Sequence, residues 1–206
     1  MTETTSESGA PLELRKVEAD LAQEVLEKYE QGEEALAVHG DGMSPGEYLA
    51  ALLEAEEAQE ALAFLAFALP RRDALAWCLR AVREHGGEPS LEEAAAVEST
   101  AAWIEEPSDE CRRAAGEAAE RAGYESPAGC LALSVFFAEG SMSPADCPAV
   151  PVGESYCPKT VSVALQLLVL ADPDRGEEIA RELVQLGVEA ANTPAPWDSE
   201  PSSAAN

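Results

Sequence analysis

This sequence has few basic residues compared with its acidic ones. Among 206 residues there are 40 Asp and Glu, 13 Lys and Arg and two His, which leaves a formal net charge of −27. A surface with this balance repels the phosphates of nucleic acids and the headgroups of anionic lipids. We therefore expect neither direct nucleic-acid binding nor attachment to a membrane.

The acidic surface has two interpretations. In the first, it suits a salt-rich cytoplasm, where counterions screen the repulsion between carboxylates. In the second, the acids bind a basic partner or imitate nucleic acid. Composition favours the first interpretation and leaves the second open.

Residues that carry most enzyme chemistry are also scarce. The two histidines are His39 and His85, and the five cysteines contain no Cys-x-x-Cys pair. Nucleophilic triads need a histidine beside the nucleophile, and structural zinc normally takes four ligands. Cys147 and Cys157, each followed by proline, could form a disulfide or contribute to a metal site, but neither is favoured. The sequence predicts no catalytic residue, no metal and no cofactor.

Long apolar segments are missing as well. The two strongest apolar runs, 61–69 and 161–171, are shorter than the roughly 20 residues that cross a bilayer. The first ten residues are polar and acidic and do not resemble a secretory signal. These features predict a cytoplasmic protein whose cysteines remain reduced.

Aromatic residues make up only 5% of the chain, so alanine and leucine must supply most of the core. Alanine is the strongest helix former, and runs of β-branched residues are nearly absent. The sequence predicts an all-α protein, a multi-helix orthogonal bundle of about nine helices joined by short loops. Helix-start patterns of the type Ser-x-x-Glu or Ser-Pro support three of the helices; they begin at Ser44, Ser90 and Ser126.

The chain is predicted to form one domain over residues 12–192. Its first helix is predicted over 12–30, and residues 1–11 before it are expected to be disordered. A proline-rich connector occupies 141–158, and an acidic tail over 193–206 is also expected to be disordered. Trp197 in that tail is either a short docking motif or part of an unused end.

One predicted helix, Arg71 to His85, differs from the rest of the chain in charge. Residues 70–85 contain four bases and two acids and form the only net-positive segment. Arginine binds carboxylates and phosphates with a two-pronged guanidinium group, although pairing with nearby glutamates would also explain the cluster. We predict a partner-binding face here, made of Arg71, Arg72, Arg80 and Arg83 together with Trp77.

Several blocks of the sequence carry a family resemblance. They are Phe64-Leu-Ala-Phe-Ala-Leu-Pro-Arg-Arg-Asp-Ala-Leu-Ala-Trp77, Trp103-Ile-Glu-Glu-Pro107 with Arg112-Arg113, Ala122-Gly-Tyr-Glu-Ser-Pro127, Ala132-Leu-Ser-Val-Phe-Phe137 and Gly140-Ser-Met-Ser-Pro144. In this order, over roughly residues 45 to 171, they resemble a bacterial all-helical family without an established activity. The resemblance implies gene neighbourhoods of contractile secretion systems, and hence an accessory role.

Together these observations predict a non-enzymatic, cytoplasmic adaptor that binds a protein partner, accessory to a bacterial contractile secretion assembly. The alternative is an acidic nucleic-acid mimic, an inhibitor that occupies the basic cleft of its partner. The two differ in what they bind: the adaptor uses the arginine face, whereas the mimic uses the carboxylates.

Overall fold

The computed structural model describes residues 11–144 and 146–199, and the described residues contain ten α-helices. This confirms the predicted all-α class and the multi-helix bundle. The helices are α1 Ala22–Leu26, α2 Glu33–Val38, α3 Pro45–Glu54, α4 Ala58–Ala68, α5 Arg71–His85, α6 Leu91–Glu105, α7 Asp109–Ala122, α8 Pro127–Phe136, α9 Tyr156–Leu170 and α10 Gly176–Asn192.

Local signals set several helix starts. Ser44 and Ser90 accept hydrogen bonds from the backbone N–H groups of Glu47 and Glu93, and each glutamate bonds back to its cap. Such reciprocal bonds satisfy N–H groups that a helix start otherwise leaves without a partner. Ser126 caps α8 by one such bond only, accepting from the backbone N–H of Gly129. All three starts agree with the sequence patterns.

The core lies where α4, α5, α9 and α10 pack against one another. A second group, α6, α7 and α8, packs against this core mainly by the contact of α8 with α9. Helices α1 and α3 pack on α4, and α2 packs on α3. Gly187 lets α10 approach α4 and α5 closely, because a Cβ there would lie 2.9 Å from Leu65 and from Trp77. In the described residues no helix has the length and apolar character needed to cross a bilayer.

The predicted helix over 12–30 is wrong. Only Ala22–Leu26 is helical, and the chain before it is held by distant backbone groups. Leu12 donates to the carbonyl of Gly46, and Lys16 donates to that of Ala191. These long-range bonds replace the local bonds of a helix. The short helix α2 was not predicted.

The proline-rich connector is shorter than predicted. It ends at Ser155, and Pro158 lies in the first turn of α9, where a missing N–H costs little. Within the connector, Ser141 and Pro151 form an antiparallel bridge.

The prediction that the tail is disordered is wrong for residues 193–199, the part of the tail that the structure describes. Residues 196–199 form a 3₁₀ turn, Trp197 packs on the core, and Asp198 lies 3.1 Å from Lys16. Residues 200–206 and residues 1–10, the other segments predicted to be disordered, lie outside the described residues.

Candidate partner-binding site

Arg71 and Arg72, at the start of α5, bond to other helices of the fold. Arg71 donates to the carbonyl of Ala138, just beyond α8, at 2.9 Å. Arg72 donates to the carbonyls of Ile104 and Glu105, at 2.8 and 3.0 Å. These two carbonyls belong to the last turn of α6, where basic side chains commonly satisfy unpaired acceptors. Both arginines therefore join α5 to its neighbours.

Of the other predicted site residues, Arg80 and Arg83 are exposed and Trp77 is buried. Arg80 forms ion pairs of 2.8 Å with Glu84 and with Glu189 of α10. Arg83 is exposed and has no ion-pair partner among the described residues. Trp77 is 2% exposed and donates its indole N–H to the carbonyl of Leu183, so its assignment to a partner-binding face is wrong. Three of the four arginines of this net-positive helix, Arg71, Arg72 and Arg80, therefore donate to acceptors of the same chain.

His39 and the cysteines are positioned by packing. The His39 ring meets the edge of Tyr48, with centroids 5.7 Å apart, and lines none of the cavities described below. All five cysteines are free; Cys147 is exposed and Cys157 is buried. In the described part of the chain, no group of three or more His, Cys, Asp or Glu side chains is arranged to hold a metal.

Helix α9 carries a surface that the sequence analysis missed. Its 15 residues include one charged side chain, Lys159, and no carboxylate. One side packs on α4, α5, α8 and α10. The opposite side exposes Tyr156, Val163 and Leu170 by 44%, 39% and 63%. Three large apolar residues aligned on one exposed helix face form a surface of the kind that often binds a partner.

These three residues repeat at intervals of seven, and the partly exposed Thr160 and Leu167 lie between them. The resulting spacing of four and three is that of a seam between two packed helices. We call the five residues the α9 stripe: Tyr156, Thr160, Val163, Leu167 and Leu170. The spacing was visible in the sequence; its exposure was not, because a helix this apolar is typical of a core.

A groove runs beside the stripe, between α9, α4 and residues 18–30. It consists of two cavities of about 580 and 490 Å³ that share Lys28, Phe67 and Ser155. Tyr29 stacks on Phe67 along it, with ring centroids 4.6 Å apart. Val163 lines the second cavity, so stripe and groove form one continuous surface.

Acids outnumber bases along this groove. Three bases line it, Lys28, Arg71 and Lys159, against five acids. The acids are Glu18, Glu27, Glu30, Glu60 and Glu154. None of them forms an ion pair with another described residue. Burial raises the pKa of Glu60, and the backbone N–H of Gly32 that bonds to its carboxylate opposes this in part.

A family model matches residues 48–191 of the chain, well over half of its length. The chain belongs to the DUF6931 family. This is a family of unknown function, as the sequence resemblance predicted. The DUF6931 match includes all of α5 and α9, whereas the groove wall contributed by residues 18–30 precedes it. No curated protein and no solved structure matches the chain.

Proposed function

We propose that this protein is a non-enzymatic, cytoplasmic adaptor that binds a partner protein through the α9 stripe. The observation that carries the proposal is the exposed apolar side of α9, a helix without a carboxylate in a chain of net charge −27. Removal of apolar surface from water is the dominant favourable contribution to most protein–protein association. Charge around such a patch contributes mainly specificity and association rate.

This proposal moves the docking surface from α5 to α9. The guanidinium groups of Arg71, Arg72 and Arg80 already bond to acceptors within the fold, which supports α9 over α5 as the docking surface. The accessory role in a contractile secretion assembly stays a prediction of the family resemblance. A nucleic-acid mimic would bind through carboxylates and would not need the stripe.

A pair of matched variants tests the proposal. Val163→Glu places a charge in the middle of the stripe, and Leu91→Glu places the same charge on an 83% exposed leucine at the start of α6. Partners recovered by affinity purification from the source cells are identified and then titrated as purified proteins. We expect the Leu91→Glu protein to bind its partner as the wild type does and the Val163→Glu protein to bind at least tenfold more weakly.

Equal binding by both variants would contradict the proposal. Circular dichroism and thermal unfolding establish that both variants are folded. If the recovered partner is a DNA-handling protein that binds both variants equally and dissociates in salt, the nucleic-acid mimic replaces the adaptor.

A further inference from the structure

The length and spacing of the α9 stripe fit one kind of structural element. From Tyr156 to Leu170 the stripe covers 14 residue steps, which is about 21 Å of helix. Side chains at spacings of four and three accept the side chains of a second helix placed alongside. A facing segment of about four turns, with apolar residues at the same spacing, would cover Tyr156, Val163 and Leu170 together.

The charges around the stripe determine the character of that segment. On the groove side, five carboxylates without ion pairs face three bases, one of which already bonds to Ala138. Beyond the last turn, Asp172 and Asp174 follow Leu170, at the negative end of the α9 dipole. Lysine and arginine side chains on the edges of a bound helix would meet these acids.

A second copy of this chain fits less well. It would bring another net charge of −27 and the same carboxylates to the interface. Long-range repulsion slows the approach of like-charged molecules, whereas a basic partner is attracted by the same field. Electrostatics therefore favours a basic partner over self-association.

We propose, resting on the proposed function, that the partner segment is a basic amphipathic helix. Its apolar residues pack on the α9 stripe, and its lysines and arginines point to the carboxylates of the groove and to Asp172 and Asp174. This names the chemistry of the partner and gives its binding a predicted salt dependence.

Two synthetic peptides test the proposal with the purified full-length chain. One is an 18-residue helix of leucine and lysine with apolar residues at spacings of three and four; the other replaces every lysine by glutamate. Fluorescence anisotropy measures their binding to the wild type, to Val163→Glu and to Leu91→Glu. Leu170→Glu, at a 63% exposed position, gives a second stripe variant if Val163→Glu folds poorly.

The added glutamate separates docking from simple attraction of charges. Non-specific attraction of the lysine peptide would strengthen in every variant, since each becomes more acidic. Docking on the stripe would instead weaken at least tenfold in Val163→Glu and stay unchanged or strengthen in Leu91→Glu. We expect the second pattern, no binding of the glutamate peptide, and an affinity that falls as salt rises.

Three outcomes would overturn the inference. The first is equal or tighter binding of the lysine peptide to the stripe variants. The second is no binding of the lysine peptide while the natural partner still requires Val163, which leaves the proposed function standing. The third is a self-association, seen by sedimentation velocity, that grows with salt and is lost in Val163→Glu; it would make a second copy the occupant.

Discussion

The guanidinium of Arg72 lies over the ring of Trp197, 4.7 Å from its centroid. The residues are 125 positions apart, and the contact fixes the last described turn of the chain on the start of α5. Beside this contact, the Nζ of Lys16 forms ion pairs with two carboxylates: it lies 2.6 Å from the Oδ1 of Asp73 and 3.1 Å from the Oδ2 of Asp198. The stripe of α9 and these contacts of Lys16, Arg72 and Trp197 are independent features and can be tested separately.

Trp197→Ala is expected to loosen the described tail. The substitution removes the ring under Arg72 and apolar contact with the core, which we expect to lower the free energy of unfolding by about 1–2 kcal/mol. Trp197→Phe is the control: the indole N–H has no acceptor among the described residues, so phenylalanine loses no hydrogen bond. Urea unfolding measures both. An alanine variant as stable as the phenylalanine variant would contradict the prediction.

Arg112 and Arg113 offer a comparison between a buried and a surface arginine on α7. The Arg112 side chain is 1% exposed and donates to the carbonyls of Phe136 and Ser141 as well as to Asp109. Arg112→Ala leaves the carbonyls of Phe136 and Ser141 without this donor and removes a large side chain from a buried position, and we expect a loss of about 3–5 kcal/mol in unfolding free energy.

Arg113→Ala removes a partly exposed partner of the same Asp109 and should cost below about 1 kcal/mol. Chemical denaturation of both variants under identical conditions gives the difference. Similar losses from the two substitutions would show that Arg112 does not support the connector between α8 and α9.

The burial of the Glu60 carboxyl should make the stability of the protein depend on pH. Burial raises the pKa of Glu60 in the folded state. The protonated carboxyl therefore contributes to stability at pH values below its ordinary pKa, and this contribution to the free energy of unfolding is lost as the pH rises through the folded-state pKa. Glu60→Gln should therefore be more stable than the wild type at pH 7, with the difference vanishing below about pH 4.

Glu18→Gln, on the same groove, removes the same charge from an exposed position and is the control for net charge. Thermal unfolding from pH 3.5 to 8 follows both variants. A gain at pH 7 that is equal in the two variants would mean that general repulsion, rather than the burial of Glu60, is responsible.

The cysteines should react with a thiol reagent in a defined order. Cys147 is exposed, whereas burial raises the pKa of the Cys157 thiol to about 12 and that of Cys78 well above its usual value. Since the thiolate is the reactive form, Cys147 should be modified first and the buried thiols only after unfolding. Mass spectrometry of the labelled native protein tests this; early labelling of Cys157 would contradict it.

The helices that the sequence predicted best are those with local boundaries. The bounds of α5 agree because Pro70 precedes it and Gly86 and Gly87 follow it, and all these signals lie within a few residues of the helix ends. The caps at Ser44 and Ser90 act over three residues in the same way. Such elements need no knowledge of the tertiary structure.

The predictions that failed depend on distant groups. Residues 12–21 contain an apolar stripe suitable for a helix, but backbone groups at Gly46 and Ala191 hold this segment in another conformation. The position of the Trp197 ring depends on its contact with Arg72, and the position of the Trp77 ring depends on its hydrogen bond to the carbonyl of Leu183. The α9 stripe was missed for a related reason: composition identifies an apolar helix but does not show which of its sides the other helices leave uncovered.

The bonds that join the two ends of the described chain also set an order on biosynthesis. The N–H of Lys16 reaches the carbonyl of Ala191, and the side-chain amide of Asn192 donates to the carbonyl of Glu13. When residues 12–16 leave the ribosome, their hydrogen-bonding partners at the end of α10 have not yet been translated. The bonds of Glu13 and Lys16 to the end of α10 therefore form only after synthesis has passed residue 192, whereas the bond of Leu12 to Gly46 needs no residue of α10.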